Sequence, residues 1–256
     1  NFFMKNGEVC RMKDAFKPHK DEIQDTLSRM CEYSPYAYSD EIRRGFITIE
    51  GGFRVGIAGT AVECKDGIST IKYINSLNIR ISRELTGCAD KVMKYVYGNT
   101  LIISPPGCGK TTILRDIIRQ ISNQGINISV VDERCEISGM YLGNIQFDLG
   151  ICTDVLCCYS KSIGMNMMLR SMGPKIIAVD EIGSDEDILA IHNLLNSGVK
   201  IIATIHCDTI ENILQKPFIE NIVKEKIFDS YIILNNNKKT GDLYKIYDKE
   251  LNIVWQ

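Results

Sequence analysis

The sequence has no long apolar run. None of its hydrophobic stretches reaches the roughly 18–20 residues that carry a helix across a bilayer, and no charged-then-apolar leader opens it. A soluble intracellular chain is expected, meeting membranes only through partners. It also has no C-x-x-C pair, and its 10 cysteines are scattered apart from the adjacent Cys157 and Cys158. That spacing suits neither a zinc site nor a disulfide framework, so reduced thiols in a reducing cytosol are expected. An excess of one charge is missing too: 30 Lys and Arg stand against 32 Asp and Glu, a formal net charge of −2. No global field gathers nucleic acid or acidic lipid, which leaves only local patches for such contacts. There is no internal repeat and no low-complexity segment. The first residue is Asn1 rather than Met, as in an excerpt of a longer chain.

What is present is organised around Leu101 to Thr112, LIISPPGCGKTT. Three apolar residues lead into a small-residue loop, Lys110 and Thr111 follow Gly109, and an amphipathic run extends from Thr112 to about Gln120. This order of strand, loop and helix is the one a phosphate-binding loop requires, because backbone N–H groups at a helix N-terminus surround an anion and the helix dipole adds to the attraction. Pro106, Gly107, Cys108, Gly109, Lys110, Thr111 and Thr112 are the expected contacts for ATP. Lys110 would reach the β- and γ-phosphates, and Thr111 would ligate Mg²⁺. The first glycine of G-x-x-x-x-G-K-[ST] is replaced by Ser104, a small residue at a position that serves loop geometry, so binding is expected to survive. The bland alternative is a Gly/Pro turn that happens to contain Gly-Lys-Thr.

Around this motif the alternation of short strands and helices predicts an α/β fold. The core has a mostly parallel sheet covered on both faces over residues 89–256, and ligands gather beyond the carboxyl ends of its strands. Residues 1–88 read as a small N-terminal α+β domain. It holds a helix over Lys17 to Cys31, a hairpin turning at Gly51-Gly52 within Gly45 to Ala61, and short apolar stretches at Ile71 to Ile74 and Ser76 to Arg83. Thr86 to Tyr97 reads as a linker helix. Core strands are expected at Ile128 to Val131, Ile176 to Val179 and Lys200 to Ile205, with a helix over Asp185 to Asn196. Tyr231 to Leu234 and Leu243 to Tyr247 flank a polar turn, NNNKKTGD, and predict a C-terminal β-hairpin joined by Ile253 to Trp255.

The apolar strand IIAV ends in Asp180 and Glu181. Downstream of a phosphate loop such a pair has two jobs: Asp180 holds Mg²⁺ through water, and Glu181 orients and deprotonates the attacking water. A solvated acidic helix start is the competing reading. In the cluster after Val131, Glu133 is a candidate outer-sphere contact to the metal, while Asp132 is placed to cap the next turn. His206 stands just past its strand tip, where it can sense the γ-phosphate, with Thr204 two residues earlier on the same face. His19 and His192 have no such context. Charge on the transition state calls for a further cation. Arg80 and Arg83 are the first candidates, at the domain junction, followed by Arg54, Arg134 and Arg170.

Taken together, GFITIEGGFRVGIAG, LNIRISR, PPGCGKTT, VVDERCEISG, LRSMGPKIIAVDEIG and GVKIIATIH resemble the stage III sporulation protein AA family of endospore-forming bacteria, which is similar to the type II and type IV secretion ATPases. The likeness runs from about Gly45 to the C-terminal hairpin. It implies a RecA-like P-loop NTPase core that hydrolyses ATP with Mg²⁺. It also implies a homohexameric ring, and docking in the mother-cell cytoplasm on membrane-embedded channel proteins leading to the forespore. On that resemblance VVDERCE matches an acidic box and TIH a histidine box. Cys152, in GICTDV, stands where the family pattern places an arginine, which together with Ser104 implies slow turnover. Two other functions compete. One is a nucleic-acid motor on the same core, which the charge balance disfavours. The other is a non-catalytic nucleotide scaffold.

Overall fold

The computed structural model describes residues 2–5, 8–11, 18–65, 67–214, 217–235 and 241–256. The chain divides into two compact units, Asn1–Ser82 with Gly139–Gln146, and Arg83–Ser138 with Phe147–Gln256. The division falls after Ser82, somewhat before the boundary near 88 read from the sequence, and the return of Gly139–Gln146 to the first unit had no sequence signal.

In the first unit, β1 (Phe2–Lys5) and β2 (Glu8–Arg11) pair antiparallel. Helix α1 (Lys20–Met30) buries Leu27 and is followed by the short α2 (Ser39–Arg43). Both cover a three-stranded antiparallel sheet of β3 (Phe46–Ile49), β4 (Phe53–Cys64) and β5 (Gly67–Arg80). The turn from β3 to β4 does use Gly51, in the left-handed region at φ 80° that a side chain disfavours. Leu27, Cys31, Tyr38, Ile42, Ile47, Val55, Ile57 and Ile74 form the core. Where the sequence suggested two short apolar stretches, β5 is one continuous strand. Tyr141, from the returning segment, packs on this core, and its hydroxyl bonds the Glu32 carboxylate.

The second unit begins without the expected linker helix. Residues 86–92 form turns ahead of a short tight helix, Met93–Tyr95. Gly87 takes φ 80°, and the Ala89 N–H donates to the Asp116 carboxylate at 2.8 Å, so the backbone is satisfied by a tertiary partner and not by a helical carbonyl. Strand β6 (Thr100–Ser104) then leads into α3 (Lys110–Ser122), β7 (Ile128–Asp132), β8 (Thr153–Cys157), α4 (Lys161–Met172), β9 (Ile176–Val179), α5 (Asp185–Asn196) and β10 (Lys200–His206). After these come α6 (Ile210–Leu214), α7 (Pro217–Lys224), β11 (Ser230–Leu234), β12 (Leu243–Asp248) and β13 (Ile253–Trp255). The polar turn between β11 and β12 falls largely at 236–240, outside the described residues.

The eight strands form one sheet in the order β13-β12-β11-β6-β10-β9-β7-β8. The run from β11 to β8 is parallel, while β12 and β13 add antiparallel at the edge. Alternate residues of each central strand enter opposite cores, as the two-residue period of a strand requires. Leu101, Ile103, Ile201, Ala203, Ile177 and Val179 pack with α4, α5 and the later helices. Ile102, Ile202, Ala178 and Val130 pack with Ile113, Leu114, Ile117 and Ile118 of α3. This is an α/β architecture with its sheet covered on both faces. No helix among the described residues is long and apolar enough to cross a membrane.

Candidate functional site

The loop between β6 and α3 has the backbone an anion site needs. Gly107 and Gly109 take φ 78° and 94°, and a Cβ built on Gly107 would meet nothing within 4 Å. Gly109 is the residue that caps α3, and no side chain bonds the first-turn amides from that position, so these N–H groups face outward at the positive end of the helix dipole. Ser104 is fully buried; its hydroxyl donates to the Pro105 carbonyl at 2.8 Å, and its own carbonyl accepts the Cys207 N–H at 3.2 Å. The serine that departs from the motif is thus held inside the strand end and leaves the loop open. Pro106 is exposed, Cys108 is buried, and its carbonyl accepts the Gly241 N–H at 2.8 Å. The Thr112 carbonyl takes the Cys88 thiol at 3.6 Å.

Sheet order brings the distant residues together. In the sequence β7 and β8 intervene between the loop strand and the acidic strand, but in the sheet the neighbour of both is β10. Its register sets His206 opposite Ser104 and Ala203 opposite Val179, so Thr204 and His206 lie between the loop and the acids. Thr111 Oγ1 donates to Asp180 at 2.7 Å, and the Thr204 hydroxyl donates to the other Asp180 oxygen. Thr204 Oγ1 accepts the Glu181 N–H at 2.9 Å. Glu181 itself has φ 55°, an uncommon conformation for a residue with a side chain.

His206 joins the two charged groups. Lys110 Nζ is 2.8 Å from His206 Nδ1, and His206 Nε2 is 2.5 Å from Glu181 Oε1. When neutral, His206 meets both contacts as the tautomer protonated on Nε2, donating to Glu181 and accepting from Lys110; when protonated, it keeps the Glu181 contact as an ion pair. The other Glu181 oxygen meets Arg134 Nη1 at 3.3 Å. Burial alone would raise the Glu181 pKa, but the charge and hydrogen bond of His206, followed by Arg134 and Lys110, hold it below the usual carboxylate value. Lys110 is 5% exposed. Burial pulls its pKa down, against the opposing charges of Asp180 and Glu181.

The turn after β7 completes the site. Asp132 is buried and accepts the N–H groups of Glu136, Ile137 and Ser138 at 2.9, 3.1 and 2.8 Å, and the Ser138 hydroxyl at 2.7 Å. Its carboxylate is spent on shaping the turn, and burial, outweighing these bonds, raises its pKa. Glu133 pairs with Lys161 at 2.8 Å. Both line a narrow cleft together with Asp132, Arg134, Glu136, Asp180 and Glu181.

Of the arginines considered, Arg134 is the one found at Glu181. Arg54 stacks on the Phe46 ring at 3.8 Å and sits opposite Arg80 in the β4–β5 register, within the first unit. Arg80, Arg83 and Arg170 are exposed, and the Arg83 carbonyl accepts from Arg115 at 3.1 Å. Cys152 immediately precedes β8, its carbonyl accepting the Ile128 N–H at 3.0 Å. It therefore lies at the amino edge of the sheet, opposite the edge that carries Lys110 and Glu181. Of these roles, that of Thr204 had only a period-two relation to His206 as its signal. Lys161 had none.

For Mg²⁺ the donor set fits. Among the described residues no group of three or more His, Cys, Asp or Glu could hold a metal, yet Mg²⁺ needs only one or two protein oxygens because it keeps several waters. Thr111 Oγ1 and Asp180 Oδ2 are two hard oxygen donors already side by side.

The chain is 40% identical over 238 residues to stage III sporulation protein AA of Bacillus subtilis, covering 89% of this chain and 77% of that protein. It is 29% identical over 175 residues to an uncharacterised protein, ycf45, of Cyanidium caldarium, covering 65% of this chain and 52% of that one. Among solved structures it is similar to the ATPase DotB of Legionella pneumophila, with TM-score 0.57 and 14% identity over 91% of this chain and 68% of that chain. It is also similar to the pilus retraction motor PilT with bound ADP, with TM-score 0.56 and 18% identity over 89% and 68%. Those structural likenesses establish the RecA-like fold. A family model, sporulation stage III, protein AA, matches residues 5–254, and with the 40% identity to the Bacillus subtilis protein over most of both chains it places this chain in that family.

Proposed function

We propose that this chain binds ATP and hydrolyses it with Mg²⁺, working as the motor of a secretion-like channel between mother cell and forespore. The observation that carries the reading is the chain of contacts Lys110–His206–Glu181 beside the Thr111–Asp180 pair. Together these residues give a phosphate cation, a metal pair and a general base at one sheet edge.

The α3 amides and Lys110 bind the phosphates, and Lys110 exchanges His206 for a phosphate oxygen. Thr111 and, through water, Asp180 would hold Mg²⁺, which would supply charge screening for the transferring group. Thr204 fixes Asp180 and the Glu181 backbone. Glu181, tethered by His206 and Arg134, orients the attacking water and takes its proton. A cavity of about 450 Å³ lined by Leu85 to Cys88, Asp90 to Val92 and Gly241 to Leu243 adjoins the loop through the Gly241–Cys108 and Cys88–Thr112 contacts. Its size is within the range of small-molecule sites, roughly 300–1,000 Å³, and it suits the nucleoside.

We further read the active form as a homohexameric ring, in which Arg80 or Arg83 completes a neighbour's site and Glu133 adds a contact to the metal. The ring docks in the mother cell on membrane-embedded channel proteins, without inserting into lipid and without nucleic acid. Phosphate release measured against protein concentration tests this reading, because specific activity should rise as rings assemble. Strand binding that is salt-sensitive and stimulates hydrolysis would favour a nucleic-acid motor instead.

A further inference from the structure

The mechanism above uses no thiol, yet three thiols converge beside its cleft. Cys135 Sγ lies 2.9 Å from Cys157 Sγ and 3.2 Å from Cys158 Sγ, about 1 Å beyond the roughly 2.05 Å length of a disulfide bond. The backbone explains the convergence. Cys157 is the register partner of Asp132 at the end of the β7–β8 pair. The N–H groups of Cys135 and Cys158 both donate to the Asp132 carbonyl, at 3.3 and 3.1 Å. Cys135 and Cys158 also take φ 54° and 59°. Two side-chain-bearing residues in the left-handed region at one point mark a place where the surrounding structure imposes the conformation. Cys135 is buried, while Cys157 and Cys158 are half-buried and open to a small reagent.

We propose that these residues form a thiol–disulfide exchange site in which Cys135 is the shared sulfur and Cys157 or Cys158 its partner, oxidised reversibly by a low-molecular-weight disulfide. The more open thiol, as thiolate, attacks one sulfur of the small disulfide RSSR. The S–S bond of RSSR breaks, and the departing thiolate takes up a proton as RSH. Cys135 then attacks the protein sulfur of the mixed disulfide, its own proton leaving with the second RSH. Two cysteines are oxidised by two electrons, and RSSR is reduced to two RSH. The bridge ties the turn bearing Glu133 and Arg134 to the end of β8. Its formation does not depend on ATP being the ligand.

The test incubates the full chain with glutathione disulfide, alkylates the remaining thiols and maps the peptides. The expected result is loss of two free thiols per chain and a link from Cys135 to Cys157 or Cys158. The link should be reversed by dithiothreitol. Cys157→Ser should retain a Cys135–Cys158 link, and Cys135→Ser should lose every link. Should Cys135→Ser fail to fold, the double variant Cys157→Ser with Cys158→Ser must also lose the link. A link between Cys157 and Cys158 alone, or adducts confined to exposed Cys64, would overturn the proposal. So would a stoichiometric zinc or copper ion that must be chelated before the thiols react, since the cluster would then be a metal site.

Discussion

Nε2 of His206 lies 2.5 Å from Oε1 of Glu181, and this contact, with the histidine's charge, is the leading influence that overcomes burial and lowers the Glu181 pKa. The base acts ionised, so activity is present above its folded-state pKa and lost as pH falls through it. His206→Ala removes the chief lowering influence. The acid limb of the rate–pH profile should then move to higher pH, alongside a reduced rate. A limb that stays in place or moves lower would separate His206 from the base.

Lys110 is buried at the start of α3 and would be the dedicated cation for the phosphates. A hydrogen bond to a charged group is worth about 1.5–3 kcal/mol, so Lys110→Ala should weaken ATP binding by roughly 10–100-fold or more. Titration with a fluorescent ATP analogue measures this. Affinity within about twofold of the parent chain would remove Lys110 from the site.

A shared site between subunits predicts complementation. Glu181→Gln and a chain carrying Arg80→Ala with Arg83→Ala each lack a different half, so mixed rings should recover part of the phosphate release. No recovery, with mixed assemblies confirmed by sizing, leaves Arg134 as the cation. Its 3.3 Å contact with Glu181 already places it in the same unit as the loop.

Asp116 of α3 is 3% exposed. It accepts the Ala89 N–H at 2.8 Å, and Arg119 at 2.7 and 2.9 Å. Asp116→Ala leaves a buried amide without its acceptor, at a cost of about 1–3 kcal/mol, measurable by urea unfolding. Burial raises the Asp116 pKa, but these bonds outweigh it and hold it below the usual carboxylate value. The contribution of the carboxylate is therefore present above the unfolded-state pKa and fades as pH falls through the lower folded one. The difference between parent and variant should shrink as pH falls below the ordinary carboxylate range. A constant difference would mean the loss is packing alone.

The phosphate loop, the acidic strand and His206 were legible because each is a short apolar strand ending in a polar residue, a local pattern. What the sequence could not carry was order within the sheet. The insertion of β10 between β6 and β9 is a tertiary choice, and it is what lets His206 bridge Lys110 and Glu181. Strand β8 was missed because TDVLC neither alternates cleanly nor stands between turn residues. The linker helix was overcalled because the bond from Ala89 to Asp116, which replaces helical pairing, joins residues far apart in sequence. Ser104 looked like a defect in the motif, yet its burial with a hydroxyl bond to Pro105 is a matter of packing that composition does not reveal.

The central claim is hydrolysis at the Glu181 edge of the sheet. The most direct measurement is steady-state phosphate release from the full chain with Mg²⁺ and ATP, compared with Glu181→Gln under matched assembly and confirmed ATP binding. The account predicts measurable turnover in the parent chain and a fall of about 10²-fold or more in the variant, the scale of a lost general base, with ATP affinity retained. Equal turnover in the two chains, or none in the assembled parent, would contradict it.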